Sequence, residues 1–246
     1  MPAVQRQVDI GNKILEALPQ SEFRRLVEQL ERVHLDKGEV IYVAGDTIRY
    51  AYFPLNGLLS LVSTTETGAS MELASVGNEG IVGHTVINKT AVIPYDVTAP
   101  VATDAWRIKM ETLQEEFDKG EALHDLMLAY VNMLMAQISQ SSVCHRFHTV
   151  EEALSGWLLV VQDRVNSDTL NLTHEVISNA LGVPRTGVTV AAGSLQKAGL
   201  IRYSRGKIVI LDPAKLEEKS CECYRIIRDK IKQFPNASAS VLQAQA

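Results

Sequence analysis

The sequence is poor in cysteine, with three in 246 residues. Three thiols are too few for a disulfide framework, and their odd number argues against pairing in a secreted protein, so a reducing compartment is expected. The first 18 residues include Asp9 and Glu16 and have no long apolar core, which argues against a secretion signal. We therefore expect a cytoplasmic protein.

The sequence also lacks the motifs of common enzyme active sites. It has no nucleophile elbow, no glycine-rich phosphate loop and no His-Glu-x-x-His pattern. Its 46% hydrophobic and 22% charged residues are nevertheless ordinary for a globular protein with a real core. We expect no catalytic residue, no cofactor and no bound metal.

One stretch, residues 126–144, contains no charged residue over 19 positions, close to the length of a membrane span. Its second half is polar, and no aromatic belt or basic flank frames it. A helix buried in a protein interface explains this composition better than a membrane helix does, so no membrane association is expected.

Charge is distributed unevenly along the chain. Residues 1–143 hold 11 basic and 19 acidic residues, whereas residues 144–246 hold 13 basic and 10 acidic ones. Within residues 172–207 the only acidic residue is Glu175, against five basic ones. An acidic body with a small basic segment suits a polyanionic partner for that segment. A basic surface that is merely solvated would have the same numbers of charged residues.

The hydrophobic pattern divides the chain into three parts. Residues 10–33 have helical spacing, residues 36–110 contain short β-rich runs separated by turn residues, and helical patterns return from residue 111. Many short strands at this spacing predict an antiparallel barrel or sandwich. Residues 144–149 resemble a linker, 150–165 predict a helix, and 213–233 are again helical.

A long helix is predicted over residues 121–143. Four apolar residues on it repeat at spacings of four, three and four, as in a coiled coil: Leu123, Met127, Tyr130 and Leu134. We expect these four side chains to form a dimer interface. Two heptads are also compatible with one helix packed on its own domain.

The most informative stretch is residues 173–189, THEVISNALGVPRTGVT. Thr173 is a good helix N-cap, Gly182 suits the end of that helix, and Pro184 suits the start of the next. Two helices joined by a short glycine-containing turn form a helix-turn-helix, whose second helix enters the DNA major groove. A basic β-hairpin predicted over residues 201–211 would be its wing, the alternative being a purely structural helical pair. The predicted DNA-binding residues are Thr173, Arg185, Thr186, Thr189, Arg202, Arg205 and Lys207.

Over residues 35–215 the chain resembles the Crp/Fnr regulators. Residues 38–46 (GEVIYVAGD) and 52–58 (YFPLNGL) are similar to the β-roll of that family's sensor domain, and residues 148–165 and 172–201 to its DNA-binding unit. The resemblance implies an α+β fold with a jelly-roll-like β-roll sensor domain, a long dimerisation helix and a C-terminal winged helix-turn-helix. The expected boundaries are 1–120 for the sensor, 121–143 for the dimerisation helix, 144–233 for the DNA-binding domain and 234–246 for a flexible tail.

The chain departs from this family at its ligand-binding positions. Cyclic-nucleotide-binding members hold the phosphate with an arginine, but here no arginine lies between Gly83 and Arg107. A buried phosphate without a guanidinium loses its main counter-charge, so cyclic AMP is not expected to bind. Iron–sulphur members need four cysteines, one more than the chain has. The family's recognition helix often carries Arg, Glu and Arg where this chain has Arg185, Thr186 and Val190, so a different target sequence is expected.

Three other groups of residues have both a functional and a structural interpretation. His84 replaces the acidic residue of the family's phosphate cassette and is the candidate contact for a different effector. The pair Cys221 and Cys223, one residue apart with no histidine nearby in sequence, is interpreted as packing. Haem ligation by the group Cys144, His145 and His148 is conceivable, but a structural role is favoured.

The sequence therefore predicts a transcription regulator that binds palindromic double-stranded DNA as a homodimer and responds to an unknown signal. The resemblance adds RNA polymerase as a partner. Two alternatives remain open. One is a signalling module that binds no DNA. The other is an enzyme regulated by such a sensor, which is disfavoured because no segment of the chain is left over to form a catalytic domain.

Overall fold

The computed structural model describes residues 10–234, and its first half is dominated by short antiparallel strands. The elements are α1 (Lys13–Glu16), α2 (Gln20–Val27), β1 (Glu31–Leu35), β2 (Val40–Tyr42), β3 (Tyr50–Pro54), β4 (Leu59–Thr64), β5 (Ser70–Val76), a 3-10 helix (His84–Asn88), β6 (Asp96–Thr98), β7 (Thr103–Lys109) and α3 (Met110–Phe117). The strands form two sheets, ordered β1-β7-β3 and β2-β6-β4-β5, and every pairing in them is antiparallel. This confirms the predicted β-rich sensor half.

The core of this half contains side chains from both sheets, among them Phe53, Leu59, Leu61 and Ile108, all at most 1% exposed. Buried and half-buried residues alternate at the start of β7, whereas four of the five residues of β3 are buried. The core also includes residues of the long helix that follows, so the sensor and this helix pack as one body.

Strand β1 was not predicted. Residues 10–33 were expected to be helical, but α2 ends at Val27 and Glu31 already begins β1. Strand β1 pairs with β7 across about seventy residues of sequence, and Arg107 Nε donates to Glu31 Oε2 at 2.9 Å. Pairing with a distant strand therefore overrides the local helical pattern.

The second half is mainly helical. Its elements are α4 (Ala122–Phe147), α5 (Val150–Val165), β8 (Thr169–Leu170), α6 (His174–Leu181), α7 (Arg185–Lys197), β9 (Ile201–Ser204), β10 (Lys207–Ile210), α8 (Pro213–Lys219) and α9 (Glu222–Gln233). A second hydrophobic core, with Leu158, Ile177, Leu195 and Ile208 fully buried, holds α5, α6, α7 and the β8-β10-β9 sheet together. This is the winged helix-turn-helix that the sequence predicts.

Several predicted boundaries are wrong. The linker expected at 144–149 does not begin until His148, because α4 continues through Phe147. Of the predicted flexible tail, residues 235–246 lie outside the described residues, whereas Phe234 is buried with its ring 6.1 Å from that of Tyr130. The helical segment 213–233 is interrupted at Ser220 and Cys221.

The predicted dimer seam on α4 faces inward. Leu123, Met127, Tyr130 and Leu134 are at most 3% exposed and belong to the core of the sensor half. Side chains already buried within one protomer cannot form an interface between two, so this prediction is wrong about the face of the helix. No helix within residues 10–234 has both the length and the apolarity needed to cross a membrane.

Candidate DNA-binding surface and sensor pocket

The helix-turn-helix is set by local signals at its turn. The Thr173 hydroxyl accepts a hydrogen bond from the Val176 backbone N–H at 3.3 Å, which caps α6 as predicted. Gly182 ends α6 in the left-handed conformation at φ 62°, which glycine adopts without steric cost. Pro184 then lies immediately before α7.

Helix α7 has one buried and one open face. Val188, Ala191, Ala192 and Leu195 are buried in the second core. The predicted contact residues on the opposite face are exposed: Arg185, Thr186 and Thr189. A helix held by one face with its basic N-terminal turn open has the geometry of a recognition helix.

The wing lies beside this helix. Strands β9 and β10 are joined by Arg205 and Gly206, both at positive φ (48° and 76°), as in a two-residue hairpin turn. Gln196 Oε1 accepts a hydrogen bond of 2.8 Å from the Tyr203 backbone N–H, which ties the wing to α7. The His174 ring stacks on Tyr203 at 4.3 Å and fixes the wing to α6 as well.

The open surface of this unit is basic. Arg185, Arg202, Arg205 and Lys207 are all exposed. The Arg185 guanidinium lies 2.5 Å from Glu175, but both side chains are 62% exposed. Such a pair contributes about 0–1 kcal/mol, so Arg185 can exchange it for a contact to DNA at little cost.

His84 lies at a cavity of the sensor half. Its Nε2 is 2.7 Å from the Tyr95 hydroxyl, and its buried Nδ1 has no hydrogen-bond partner among the described residues. Burial lowers the pKa of His84 to about 4, so the ring is neutral at pH 7. A neutral imidazole offers one hydrogen bond to a ligand but no charge to a phosphate.

The cavity has a volume of 260 Å³ and no cationic side chain lines it. Its polar groups come from His84 and three neighbours, Thr85, Asn88 and Thr90, and Val131 of α4 forms part of its wall. Lys89, the nearest cation in sequence, instead pairs with Asp118 at 3.0 Å. The cavity therefore adjoins the long helix without offering a phosphate counter-charge.

The outer face of α4 was missed by the sequence analysis. Leu128 and Met135 are 40% and 61% exposed, and Val131 and Ile138 are half-buried. These four residues also follow spacings of three and four, so a second apolar stripe runs along the helix. We call this stripe the outer seam.

Two buried contacts join the sensor half to the DNA-binding half. Arg164 of α5 pairs with Glu79, which follows β5, and Trp157 Nε1 of α5 donates to Glu72 Oε1 of β5 at 3.1 Å. Neither acidic residue stood out in the sequence, because a carboxylate's partner 85 positions away leaves no local signal.

The cysteines that the sequence analysis assigned to packing come together in space. Cys144, His148, Cys221 and Cys223 meet where α4 ends and α9 begins. His148, although distant in sequence from the cysteine pair, has Nδ1 3.4 Å from Cys223 Sγ.

A β-rich half joined by a long helix to a winged helix-turn-helix is the architecture of one class of transcription regulators. A model described as the cyclic nucleotide-binding domain matches residues 32–119, and one described as the Crp-like helix-turn-helix domain matches residues 152–219. The chain belongs to the Crp/Fnr family of transcription regulators.

The individual relatives share less than a third of their aligned residues with this chain. The global nitrogen regulator of Synechocystis sp. is 24% identical over 212 residues, covering 80% of this chain and 93% of that protein. The transcriptional regulator SdrP of Thermus thermophilus is 29% identical over 194 residues, covering 73% and 92%. Both relatives are named as regulators.

Solved structures agree in fold. FixK2 from Bradyrhizobium japonicum has a TM-score of 0.66 at 16% identity, covering 78% of this chain and 98% of that one. TTHB099, a CRP-family regulator from Thermus thermophilus, has a TM-score of 0.64 at 20% identity, covering 76% and 96%. At these identities the likeness supports the architecture alone.

Proposed function

We propose that this protein binds palindromic double-stranded DNA sequence-specifically as a homodimer and regulates transcription in response to a signal in its sensor half. The observation that carries the proposal is the open basic turn of α7 next to a basic wing. Arg185, Thr186 and Thr189 would contact base edges. Thr173 and the wing residues Arg202, Arg205 and Lys207 would contact phosphates, which fix orientation but carry no sequence information.

The homodimer would form through the outer seam of α4 rather than through the four residues first predicted. Leu128, Val131, Met135 and Ile138 leave an apolar stripe on a 26-residue helix, with spacing suited to knobs-into-holes packing against a second copy. A two-fold axis there would present two α7 helices to successive major grooves.

The signal would reach the dimer through α4. The cavity at His84 shares Val131 with the outer seam, so an occupant of the cavity would contact the helix that pairs the protomers. By linkage, an effector acts only if it binds the two arrangements with different affinity. The lack of a cation in the cavity favours an uncharged or weakly polar effector over a cyclic nucleotide. RNA polymerase is a proposed partner by family resemblance.

Selection of bound sites from random duplex DNA with the purified full chain tests the proposal. We expect an inverted repeat whose half-sites lie one helical turn apart, about 34–36 Å. Enrichment of no sequence would favour a signalling module that does not bind DNA, and enrichment of a single half-site would contradict the dimer.

A further inference from the structure

Four metal-ligating side chains converge at the junction between the long helix and the DNA-binding half. Cys144 lies in the last turn of α4 and His148 is its C-cap, while Cys221 is the N-cap of α9 and Cys223 lies in its first turn. One ligand atom from each residue, a sulphur or a ring nitrogen, lies within 4.8 Å of all the others.

The separations suit a tetrahedral ion. Cys144 Sγ lies 3.5 Å from Cys221 Sγ, and Cys223 Sγ lies 3.4 Å from His148 Nδ1. With Zn–S bonds of about 2.3 Å and Zn–N bonds of about 2.0–2.1 Å, the edges of a tetrahedral site measure about 3.5–3.8 Å. The widest separation in the cluster therefore has to contract by only about 1 Å.

The surroundings orient these ligands. His148 Nε2 lies 3.3 Å from Glu222 Oε2, so a carboxylate can hold the imidazole with Nδ1 facing the sulphurs. Gln140 Nε2 donates to Cys223 Sγ at 3.1 Å and so orients this sulphur. Cys221 and Cys223 are buried at the N-terminus of the 12-residue helix α9.

We propose that Cys144, His148, Cys221 and Cys223 bind one Zn²⁺ ion in a closed, structural Cys₃His site. Three thiolates and a neutral imidazole fill a tetrahedral sphere, and binding releases the three thiol protons to solvent. Soft sulphur ligands exclude Mg²⁺ and Ca²⁺, and a fourth cysteine is missing for an all-cysteine iron–sulphur cluster.

Such an ion would fix the junction between the two halves. It would link Cys144 to Cys221 across 77 positions of sequence, and it would hold His148 just before Thr149, the cap of α5. The direction in which the chain leaves α4 would then depend on the metal. The inference concerns metal binding alone and does not depend on the proposed DNA-binding activity.

Metal analysis and Co²⁺ substitution of the full-length protein test the site. We expect one Zn²⁺ per chain after purification in reducing buffer, and a tetrahedral, thiolate-rich absorption spectrum when Co²⁺ replaces it. Cys144→Ser, Cys223→Ser and His148→Asn should each lose most of the metal. His145→Asn is the matched control, because His145 Nδ1 is engaged with the Ser141 carbonyl at 2.7 Å outside the cluster, and it should keep the metal.

A chelator should lower the melting temperature of the wild-type protein but not that of Cys223→Ser. Several results would overturn the proposal: no Zn²⁺ bound on reconstitution, an octahedral Co²⁺ spectrum, or metal lost from His145→Asn but not from His148→Asn. A Cys144–Cys221 disulfide in metal-free protein purified under reducing conditions would also overturn it. If a variant fails to fold, the Co²⁺ spectrum of the wild-type protein decides.

Discussion

Arg164 and Glu79 form a buried ion pair between the DNA-binding half and the sensor half. The Arg164 Nη2 atom lies 2.6 Å from Glu79 Oε1, and the two side chains are 5% and 4% exposed. Burial alone would raise the pKa of Glu79, but the charge and hydrogen bonds of Arg164 keep that pKa below its ordinary value. Both groups therefore stay charged, and the pair holds α5 against the turn after β5.

Removing one partner of this pair should destabilise the protein strongly. We expect Arg164→Met to lower the free energy of unfolding by about 3–5 kcal/mol, because Glu79 is left buried and unpaired. Arg185→Met, which breaks an exposed pair, should change it by about 0–1 kcal/mol. Denaturant unfolding measures both, and equal effects would show that the Arg164–Glu79 pair is not a significant contact between the halves.

Glu72 should make stability fall as pH rises. Burial raises the pKa of this carboxyl despite hydrogen bonds from Ser60 and Trp157. Because the folded protein holds this proton more tightly than the unfolded chain does, the protonated carboxyl contributes its full stability below the ordinary carboxyl pKa of about 4.3. That contribution is lost as the pH rises through the raised pKa of the folded state. Glu72→Gln should therefore melt higher than the wild type at pH 8 and at a similar temperature near pH 4. The exposed Glu66→Gln is the control, and a stabilising effect independent of pH would refute the explanation.

The outer seam should hold the dimer together. Replacing Leu128 and Met135 together with Glu would bury unpaired charge at the proposed interface, so sedimentation should detect monomers. Val43→Glu changes an apolar residue of similar exposure (52%) away from α4 and should leave the dimer intact. A dimer that persists in the Leu128/Met135 variant would locate the interface elsewhere.

The two basic elements should affect DNA binding differently. Arg185→Ala should weaken binding by about 1–3 kcal/mol and relax the preference at one base pair per half-site. Lys207→Ala should weaken all sequences alike and reduce the salt slope by about one. Titrations against the selected site and its single-base variants, at several salt concentrations, separate the two effects. A base preference altered by Lys207→Ala alone would reverse the assignment.

Cyclic AMP at millimolar concentration should not raise the melting temperature. A ligand at about 100 times its dissociation constant adds roughly 2.7 kcal/mol of stability, but the cavity at His84 offers no cation for the phosphate. Thermal unfolding with and without the nucleotide checks this, with AMP as the matched control. A clear shift with cyclic AMP alone would show that the phosphate is held by residues other than an arginine.

Local signals in the sequence were sufficient to predict the winged helix-turn-helix. The cap at Thr173, the left-handed stop at Gly182 and the hairpin turn at Arg205 and Gly206 act over a few residues, so their geometry follows from residue type. The β-rich character of the sensor half was equally predictable from its short alternating runs.

The face of α4 that is buried was decided only by tertiary structure. Two apolar stripes, one through Met127 and Tyr130 and the other through Leu128 and Met135, both repeat at spacings of three and four. Periodicity shows that a stripe will be buried, but the choice between the stripes depends on where the sheets of the sensor pack. Met127 and Tyr130 fill the sensor core, so Leu128 and Met135 remain on the surface.

Several contacts join residues that are far apart in the sequence, and no local pattern predicts them. Strand β1 depends on β7, Arg164 meets Glu79 across 85 positions, and Cys144 meets Cys221 across 77. The sequence by itself determined the helix-turn-helix, its wing and the basic charge of that region, because those follow from neighbouring residues. Which charges are paired and which thiols meet depends on side chains that only the packed chain brings within a few ångströms of each other.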